Sequence, residues 1–316
     1  MQPFHNYNKI EFKDKFVERY SKLTDWSIFK DTSLSFLKRS IRVNTLKISI
    51  KELKERLEKS WVLEQVPWCK EGFWIEHKNR ERRDIGNLIE HSLGYFYTQE
   101  AASMIPPIVL EPKRHEIILD IAASPGSKTT QIAQYMENTG IIIANDYTIE
   151  RMKPLTINIQ RCGITNVLIT MMEGQWFKRA GLVFDRILVD APCSGTGTIR
   201  KSLKTINMWN PDMIKRIAIT QRQLIETAFN LLKENGTMVY STCSLEPEEN
   251  EEVVNYLINK YENAELESIK LDLKRSPLVL EFDNKKYSEE ISKCLRIWPQ
   301  DNDTEGFFVA KIRKTN

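Results

Sequence analysis

Ile117-Ile-Leu-Asp-Ile-Ala-Ala-Ser-Pro-Gly126-Ser-Lys128-Thr-Thr130 is an apolar run that ends in an acid, then a Pro-Gly turn, then the start of a helical pattern. Further apolar runs follow at Ile141-Ile-Ile-Ala-Asn-Asp146, Val167-Leu-Ile-Thr170, Ile187-Leu-Val-Asp190 and Met238-Val-Tyr-Ser241. Helical patterns separate most of them, the best from Ile214 to Leu232, stopped by Lys233-Glu-Asn-Gly236. This alternation predicts an α/β fold, a parallel doubly wound sheet covered on both faces. Such sheets bind ligands outside the C-terminal strand ends, near the point where strand order reverses. The Gly126 loop, Asp146, Glu173, Asp190 and Cys243 all fall at or just past predicted strand ends, which gathers them on one edge. Pro154 lies inside the helical pattern after Asp146, so that helix is expected to start late or kink.

Residues 1–94 have a different pattern. Ile41-Arg-Val-Asn-Thr-Leu46 suits a strand, and Ser49-x-x-Glu52 is a capping box opening a helix with Ile50, Leu53 and Leu57 on one face. Aromatic-rich strands are expected at Trp61-Val-Leu63 and Gly72-Phe-Trp-Ile75. The expected division is therefore a small α+β module over 1–94 and an α/β domain over 95–316. Residues 1–94 hold 19 Lys/Arg against 14 Asp/Glu, and the remainder 27 against 29. A basic first module fits contact with a phosphate backbone, although a solvated lysine-rich surface has the same composition.

The 316 residues, 41% hydrophobic and 28% charged, are ordinary for a soluble globular protein with a sizeable core. No apolar run approaches the roughly 18–20 residues of a membrane span, and the N-terminus lacks a signal-peptide pattern. Five cysteines without a C-x-x-C spacing argue against disulfides and against zinc. A cytoplasmic monomer with no metal and no membrane partner is expected.

Gly126-Ser-Lys128-Thr129 differs from a phosphate-binding P-loop. That motif needs adjacent Gly and Lys and another Gly five residues earlier, whereas Ser127 intervenes and position 121 is Ile. A nucleotide triphosphatase is thus disfavoured. Asp146, twenty residues past Gly126, is placed to accept hydrogen bonds from ribose hydroxyls. Loop and acid without a glycine series suit S-adenosyl-L-methionine better than a dinucleotide. Cys193, in Asp190-Ala-Pro-Cys-Ser-Gly195, and Cys243, in Ser241-Thr-Cys-Ser244, lie 50 residues apart, both after strands at the ligand edge. A free thiol is only about 3% thiolate at pH 7, so a reactive one needs a tuned environment. Cys69, Cys162 and Cys294 suit small buried hydrophobes.

The chain resembles the Nop2/Sun family of RNA cytosine-5 methyltransferases. The resemblance covers Arg42-Val-Asn-Thr-Leu-Lys47, Gly94-Tyr-Phe-Tyr-Thr-Gln-Glu-Ala-Ala-Ser103 and the Ala122–Lys128 loop. It continues through Asp190-Ala-Pro-Cys-Ser-Gly-Thr-Gly197, Tyr240-Ser-Thr-Cys-Ser244 with Glu248-Glu-Asn250, and Arg296-Ile-Trp-Pro299 with Gly306-Phe-Phe308. It implies a Rossmann-like methyltransferase domain and an N-terminal module related to RNA-recognition folds. Cys243 is then the nucleophile toward carbon 6 of cytosine, and Cys193 assists loss of the carbon-5 proton. Asp190 hydrogen-bonds the base near N3, with Lys128 orienting Asp190 or the base. DNA cytosine methyltransferases use the Pro-Cys cysteine instead, which would reverse the two roles.

S-adenosyl-L-methionine is expected at Ala122, Ala123, Ser124, Pro125, Gly126, Ser127, Lys128, Asp146, Arg151, Glu173 and Asp190. Phosphate contacts to RNA are expected from Lys38, Arg39, Arg42, Arg80, Arg82 and Arg83. The target base must be unstacked, in tRNA first and rRNA next. Glu173 stands where many relatives carry Asp, Gln300 where His is common, and Ser124 where Ala is common. The rival from another class is a non-catalytic RNA-binding assembly factor that keeps the fold.

Overall fold

Alternation of apolar side chains along short strands sets the architecture of the computed structural model, which describes residues 2–4, 7–79 and 82–316. Helices α1 (Asp14–Leu23) and α2 (Trp26–Ser33) come first. A small unit follows, made of β1 (Ser40–Val43), α3 (Ile50–Leu57), β2 (Trp61–Gln65), β3 (Gly72–His77), the short α4 (Ile89–Ser92) and β4 (Phe96–Thr98). Its strands form an antiparallel sheet in the order β2-β3-β1-β4. Ser49 and Glu52 make the expected reciprocal cap at the start of α3. Leu53 and Leu57 of α3 pack with Ile41, Val43, Phe73, Ile75 and Phe96 of the sheet. The opposite face, which carries Tyr97 and Trp74, packs toward the larger unit.

Two boundaries differ from the 1–94 and 95–316 division. Strand β4 pairs with β1 through Ile41 and Thr98, so the small sheet runs past residue 94. Helices α1 and α2 pack away from that sheet: Phe16, Tyr20 and Phe29 share a core with Ile199, Trp209, Leu245 and Trp298. Their aromatic side chains find a larger apolar surface there than a four-stranded sheet already backed by α3 can offer.

The larger unit runs through α5 (Ile105–Leu110), β5 (Ile117–Asp120), α6 (Ser127–Tyr135), β6 (Ile141–Asp146), α7 (Ile149–Cys162), β7 (Val167–Met171) and β8 (Phe184–Asp190). It continues with α8 (Lys204–Met208), α9 (Pro211–Leu231), β9 (Leu232–Thr242), α10 (Glu251–Lys260) and β10 (Ala264–Glu267). A two-stranded hairpin of β11 (Glu281–Phe282) and β12 (Lys285–Lys286), then β13 (Leu295–Ile297), α11 (Pro299–Asn302) and β14 (Phe307–Lys314) complete it. The main sheet has the order β10-β14-β9-β8-β5-β6-β7, with β13 also pairing with β14. Strands β5 to β9 are mutually parallel, as expected. The sheet is not parallel throughout, however. Strand β14 inserts antiparallel to β9, and β10 and β13 run antiparallel to β14. The chain works outward from β5 to β7 and then returns to β8 on the other side, so the order reverses between β5 and β8. Ile118, Ile142, Leu188 and Val239 face α5, α6 and α7, while Leu119, Ile143, Ile187 and Met238 face α9 and α10.

Helix α7 neither starts late nor breaks: it runs from Ile149 through Pro154 to Cys162. Pro154 lies in its second turn and removes only the bond to the Glu150 carbonyl. Helix α9 begins at Pro211, three residues earlier than the apolar pattern, because Asn210 caps it and proline suits the first helical position.

Arg42 is a correction to the expected phosphate contacts, since it is 1% exposed. On β1 its side chain points to α6, where the guanidinium donates to the Ser127 carbonyl at 2.8 Å and the Thr130 hydroxyl at 2.9 Å. It also donates to the amide oxygens of Gln99, Gln131 and Gln134. Burial pulls its pKa below the usual arginine value, and neutral dipoles in place of a carboxylate hold the charge. Arg42→Met, which strands these acceptors, is expected to cost roughly 2–4 kcal/mol in urea unfolding. Exposed Arg39→Met should change stability by less than about 0.5 kcal/mol.

Candidate functional site

Strands β8 and β9 end level, with Asp190 paired to Ser241. The Ser241 hydroxyl donates to Asp190 Oδ1 at 2.8 Å, and Lys128 Nζ donates to Asp190 Oδ2 at 2.7 Å. Burial alone would lower the pKa of the Lys128 ammonium, but the Asp190 carboxylate lifts it above the ordinary lysine value. The side chain that follows the glycine loop is therefore a fixed cation against a fixed carboxylate. Cys193 and Cys243 leave the same two strand ends and bring their sulfurs to 3.2 Å, where either can donate to the other. Both are half-buried, whereas the free thiols of Cys69, Cys162 and Cys294 are buried. The hydrogen bond with Cys243, then burial, raises the pKa of the Cys193 thiol well above the ordinary value, so Cys193 holds its proton.

The loops that carry the thiols are held by residues with no assigned role in the sequence. Glu249 accepts from Ser194 N at 2.9 Å, Gln221 Nε2 at 3.0 Å and Ser244 Oγ at 2.9 Å, and also from the Ser194 hydroxyl. Asn250 accepts from Thr242 Oγ1 at 2.6 Å and donates to the Ser244 carbonyl at 2.9 Å. Gly197 N donates to the Cys243 carbonyl at 2.9 Å, and a Cβ on Gly197 would lie 2.7 Å from that oxygen. Only glycine permits that approach. The Glu248-Glu-Asn250 run after Cys243 was the one sequence signal for this support.

The expected cofactor residues lie along the adjoining strand ends. Gly126 has φ of 99°, a left-handed conformation that lets the Ala122–Ser127 backbone turn tightly into α6. Asp146 Oδ2 accepts from Ser124 N at 3.0 Å, and Oδ1 accepts from Tyr147 N at 2.9 Å and Arg151 Nε at 2.7 Å. Arg151 also donates to the Ser124 carbonyl at 3.2 Å. Glu173 is exposed at the end of β7, accepting from Gln175. Tyr147, Ile149, Met172 and Trp176 expose apolar surface beside these strand ends. Close backbone, a strand-end acid and exposed apolar surface fit an adenine nucleoside whose tail carries no phosphate. Asp120, buried beneath the loop, was not foreseen. It accepts from the Thr129 hydroxyl at 2.7 Å, and burial lifts its pKa to about 7.

Lys38, Arg39, Arg82 and Arg83 are exposed and line one groove of the small unit. Arg42 is not with them, and Arg80 lies outside the described residues. Among the described residues no group of three or more His, Cys, Asp or Glu side chains is placed to hold a metal ion. No helix among them is long and apolar enough to cross a membrane. Paired thiols, one of them held protonated, beside an ion-paired carboxylate can add to an electron-poor ring and then manage a proton.

Residues 107–313 match the family described as 16S rRNA methyltransferase RsmB/F, and residues 12–101 match the N-terminal domain of 16S rRNA methyltransferase RsmF. The chain is similar to the tRNA (cytosine(49)-C(5))-methyltransferase of Pyrococcus abyssi, 50% identical over 310 residues, or 97% of this chain and 98% of that one. It is also similar to ribosomal RNA small subunit methyltransferase F of Aliivibrio fischeri, 46% identical over 287 residues. That match covers 89% of this chain and 58% of the relative, so the chain spans little more than half of its length. Among solved structures, a methyltransferase homolog protein from Pyrococcus horikoshii has a TM-score of 0.86 at 37% identity, covering 97% of both chains. NSun6 from Pyrococcus horikoshii, solved with SFG, has a TM-score of 0.85 at 27% identity, covering 97% of this chain and 99% of that one.

Burial pushes the Glu249 carboxyl from its ordinary 4.5 up to about 7. A carboxyl raised on folding stabilises the fold below its ordinary value, and that contribution is lost as pH rises through about 7. Between those two pH values urea unfolding of Glu249→Gln should therefore lose less stability than the wild type by up to about 3 kcal/mol, the loss due to Asp120 remaining in both.

Proposed function

The chain belongs to the Nop2/Sun (RsmB/F) family of RNA cytosine-5 methyltransferases, and from that membership we propose an S-adenosyl-L-methionine-dependent enzyme that forms 5-methylcytosine in RNA through a covalent Cys243 adduct. The observation that carries the chemistry is the 3.2 Å thiol pair beside the Lys128–Asp190 ion pair. Carbon 5 of cytosine is too weak a nucleophile to take a methyl group directly. Addition of the Cys243 sulfur to carbon 6, with the thiol proton passing to ring N3, breaks the ring conjugation and makes carbon 5 enamine-like. Asp190, as an ionised carboxylate, accepts from the N3–H of the adduct, and the Lys128 ammonium supplies compensating charge. The Ala122–Ser127 loop, Asp146, Arg151 and Glu173 would hold S-adenosyl-L-methionine, which would supply an electrophilic methyl group.

Cys193 has a reason to act second. Its thiol is held protonated first by the Cys243 sulfur. Once that sulfur is bonded to carbon 6 that restraint is gone, so Cys193 can release its own proton to water and, as the thiolate, accept the carbon-5 proton, directly or through water. Breaking the sulfur–carbon 6 bond then restores the aromatic ring and frees Cys243. tRNA is the favoured substrate, supported by the Pyrococcus abyssi relative matched over 98% of its length, with rRNA second. The enzyme acts as a cytoplasmic monomer, and Lys38, Arg39, Arg82 and Arg83 contact RNA phosphates.

The test is methyl transfer to tRNA and rRNA in parallel, with the modified cytosine mapped and position 49 of tRNA examined first. Cys243→Ala should reduce transfer by at least about 10³-fold. Cys193→Ala should instead accumulate an RNA–protein adduct stable to denaturant. If Cys193→Ala is the variant that cannot form an adduct, the roles are reversed. Wild type that binds S-adenosyl-L-methionine and RNA but methylates neither pool would favour a non-catalytic assembly factor.

A further inference from the structure

A groove of about 650 Å³ opens where the small sheet meets the C-terminal loop of the larger unit. Its lining includes the half-buried Trp74, Glu64, the segments 36–39 and 82–83, and Asp303. Four cations line it, and they are not equivalent. Lys38 is 3.2 Å from Glu64 and lies over the Trp74 ring, and Arg82 donates to both Asp84 oxygens at 3.0 and 3.1 Å. Arg39 instead donates to the Arg83 backbone carbonyl, and the Arg83 guanidinium lies 4.3 Å over the Phe36 ring. Among the described residues neither Arg39 nor Arg83 has a carboxylate within ion-pair distance. Burial, then the Arg83 charge, lowers the pKa of Arg39. Two adjacent guanidiniums that repel each other at a solvent-open groove are an arrangement that an anion relieves.

We infer that this groove binds a single-stranded RNA nucleotide that flanks the target cytosine, with its phosphate between Arg39 and Arg83 and its base against Trp74. The site presupposes the RNA methyltransferase function proposed above. Aromatic faces interleaved with paired guanidiniums suit an unstacked nucleotide, because every base has a face to stack and every link a phosphate to pair. The edges of a duplex would leave Trp74 unused. Asp303 in its lining lies 2.7 Å from the guanidinium of Arg200, seven residues past Cys193. Asp303 lies four residues before Phe307, whose ring is 5.5 Å from the Lys128 ammonium.

Affinities for oligocytidylate and for an RNA duplex, measured over a series of KCl concentrations, test the site in wild type, an Arg39→Ala/Arg83→Ala variant and Arg39→Glu. Unfolding midpoints serve as the check on folding. Each single-strand phosphate contact contributes about 0.7 to the slope of log affinity against log salt. The double variant should therefore lose about 0.7 of slope, for the one phosphate the two guanidiniums share, and about tenfold of oligocytidylate affinity at moderate salt, with duplex affinity unchanged. Arg39→Glu should lose more than Arg39→Ala/Arg83→Ala at low salt. Unchanged oligocytidylate binding, or an equal loss for duplex and single strand, overturns the site and leaves the methyltransferase reading standing. Wild type that binds neither tRNA nor oligocytidylate overturns both.

Discussion

The in-register pairing of Asp190 with Ser241 on adjacent parallel strands is the constraint from which the site follows. Parallel neighbours cannot be joined by a tight turn, so the chain must cross over through a helix before returning. Cys193 and Cys243, 50 positions apart, stand at the two ends of that crossover and its return strand, and their sulfurs close to 3.2 Å because both strands end at one height. A slip of one residue in β9 would exchange its two faces and break the Ser241 bond to Asp190. Lys128 enters from β5 on the other side of β8, so three adjacent strand ends converge on one carboxylate.

Both ends of the chain are anchored to the loop that follows Cys243. Arg19 of α1 pairs with Glu246 at 2.7 Å, and Glu246 also accepts from Tyr20 at 2.7 Å and Trp209 Nε1 at 2.9 Å. From the C-terminal side, Arg296 of β13 donates to both oxygens of Glu251 at 2.8 and 2.6 Å and to the Leu245 carbonyl at 2.9 Å. Arg296 and Glu251 are fully buried, so their charges are affordable only because each is paired bidentately. The helices α1 and α2 and the antiparallel strands β13 and β14 thus act as a clamp on the Cys243 loop. Arg42 plays the same part beneath α6, tying the small sheet to the helix that presents Lys128.

The ligand edge carries more acid than base. Asp120, Asp146 and Asp190 face it, while Lys128 and Arg151 are the cations bonded to them. Burial, then the charges of Asp190 and Asp146, keep Asp120 near 7. Lys128 and Arg151 thus balance Asp190 and Asp146, and burial suppresses the Asp120 charge beneath them.

The five parallel strands were legible because each is a short apolar run ending in a polar residue, a pattern that depends only on local sequence. The strand-end position of the Gly126 loop, Asp146, Asp190 and Cys243 followed from the same runs. The antiparallel placement of β14 was not legible, since an apolar run such as Phe307-Phe-Val-Ala310 carries no mark of direction or neighbour. Arg42 shows the same limit. A lone arginine on a strand has the same letters whether it faces phosphate or a nest of carbonyl and amide oxygens, and only the packing of α6 against β1 settles which. The local sequence therefore sufficed for the parallel strands and the edge on which they end, because periodicity and turn chemistry act over a few residues. The pairing of thiols, the support from Glu249 and Asn250, and the fate of each buried charge needed contacts between distant segments, which close only when the whole sheet is assembled.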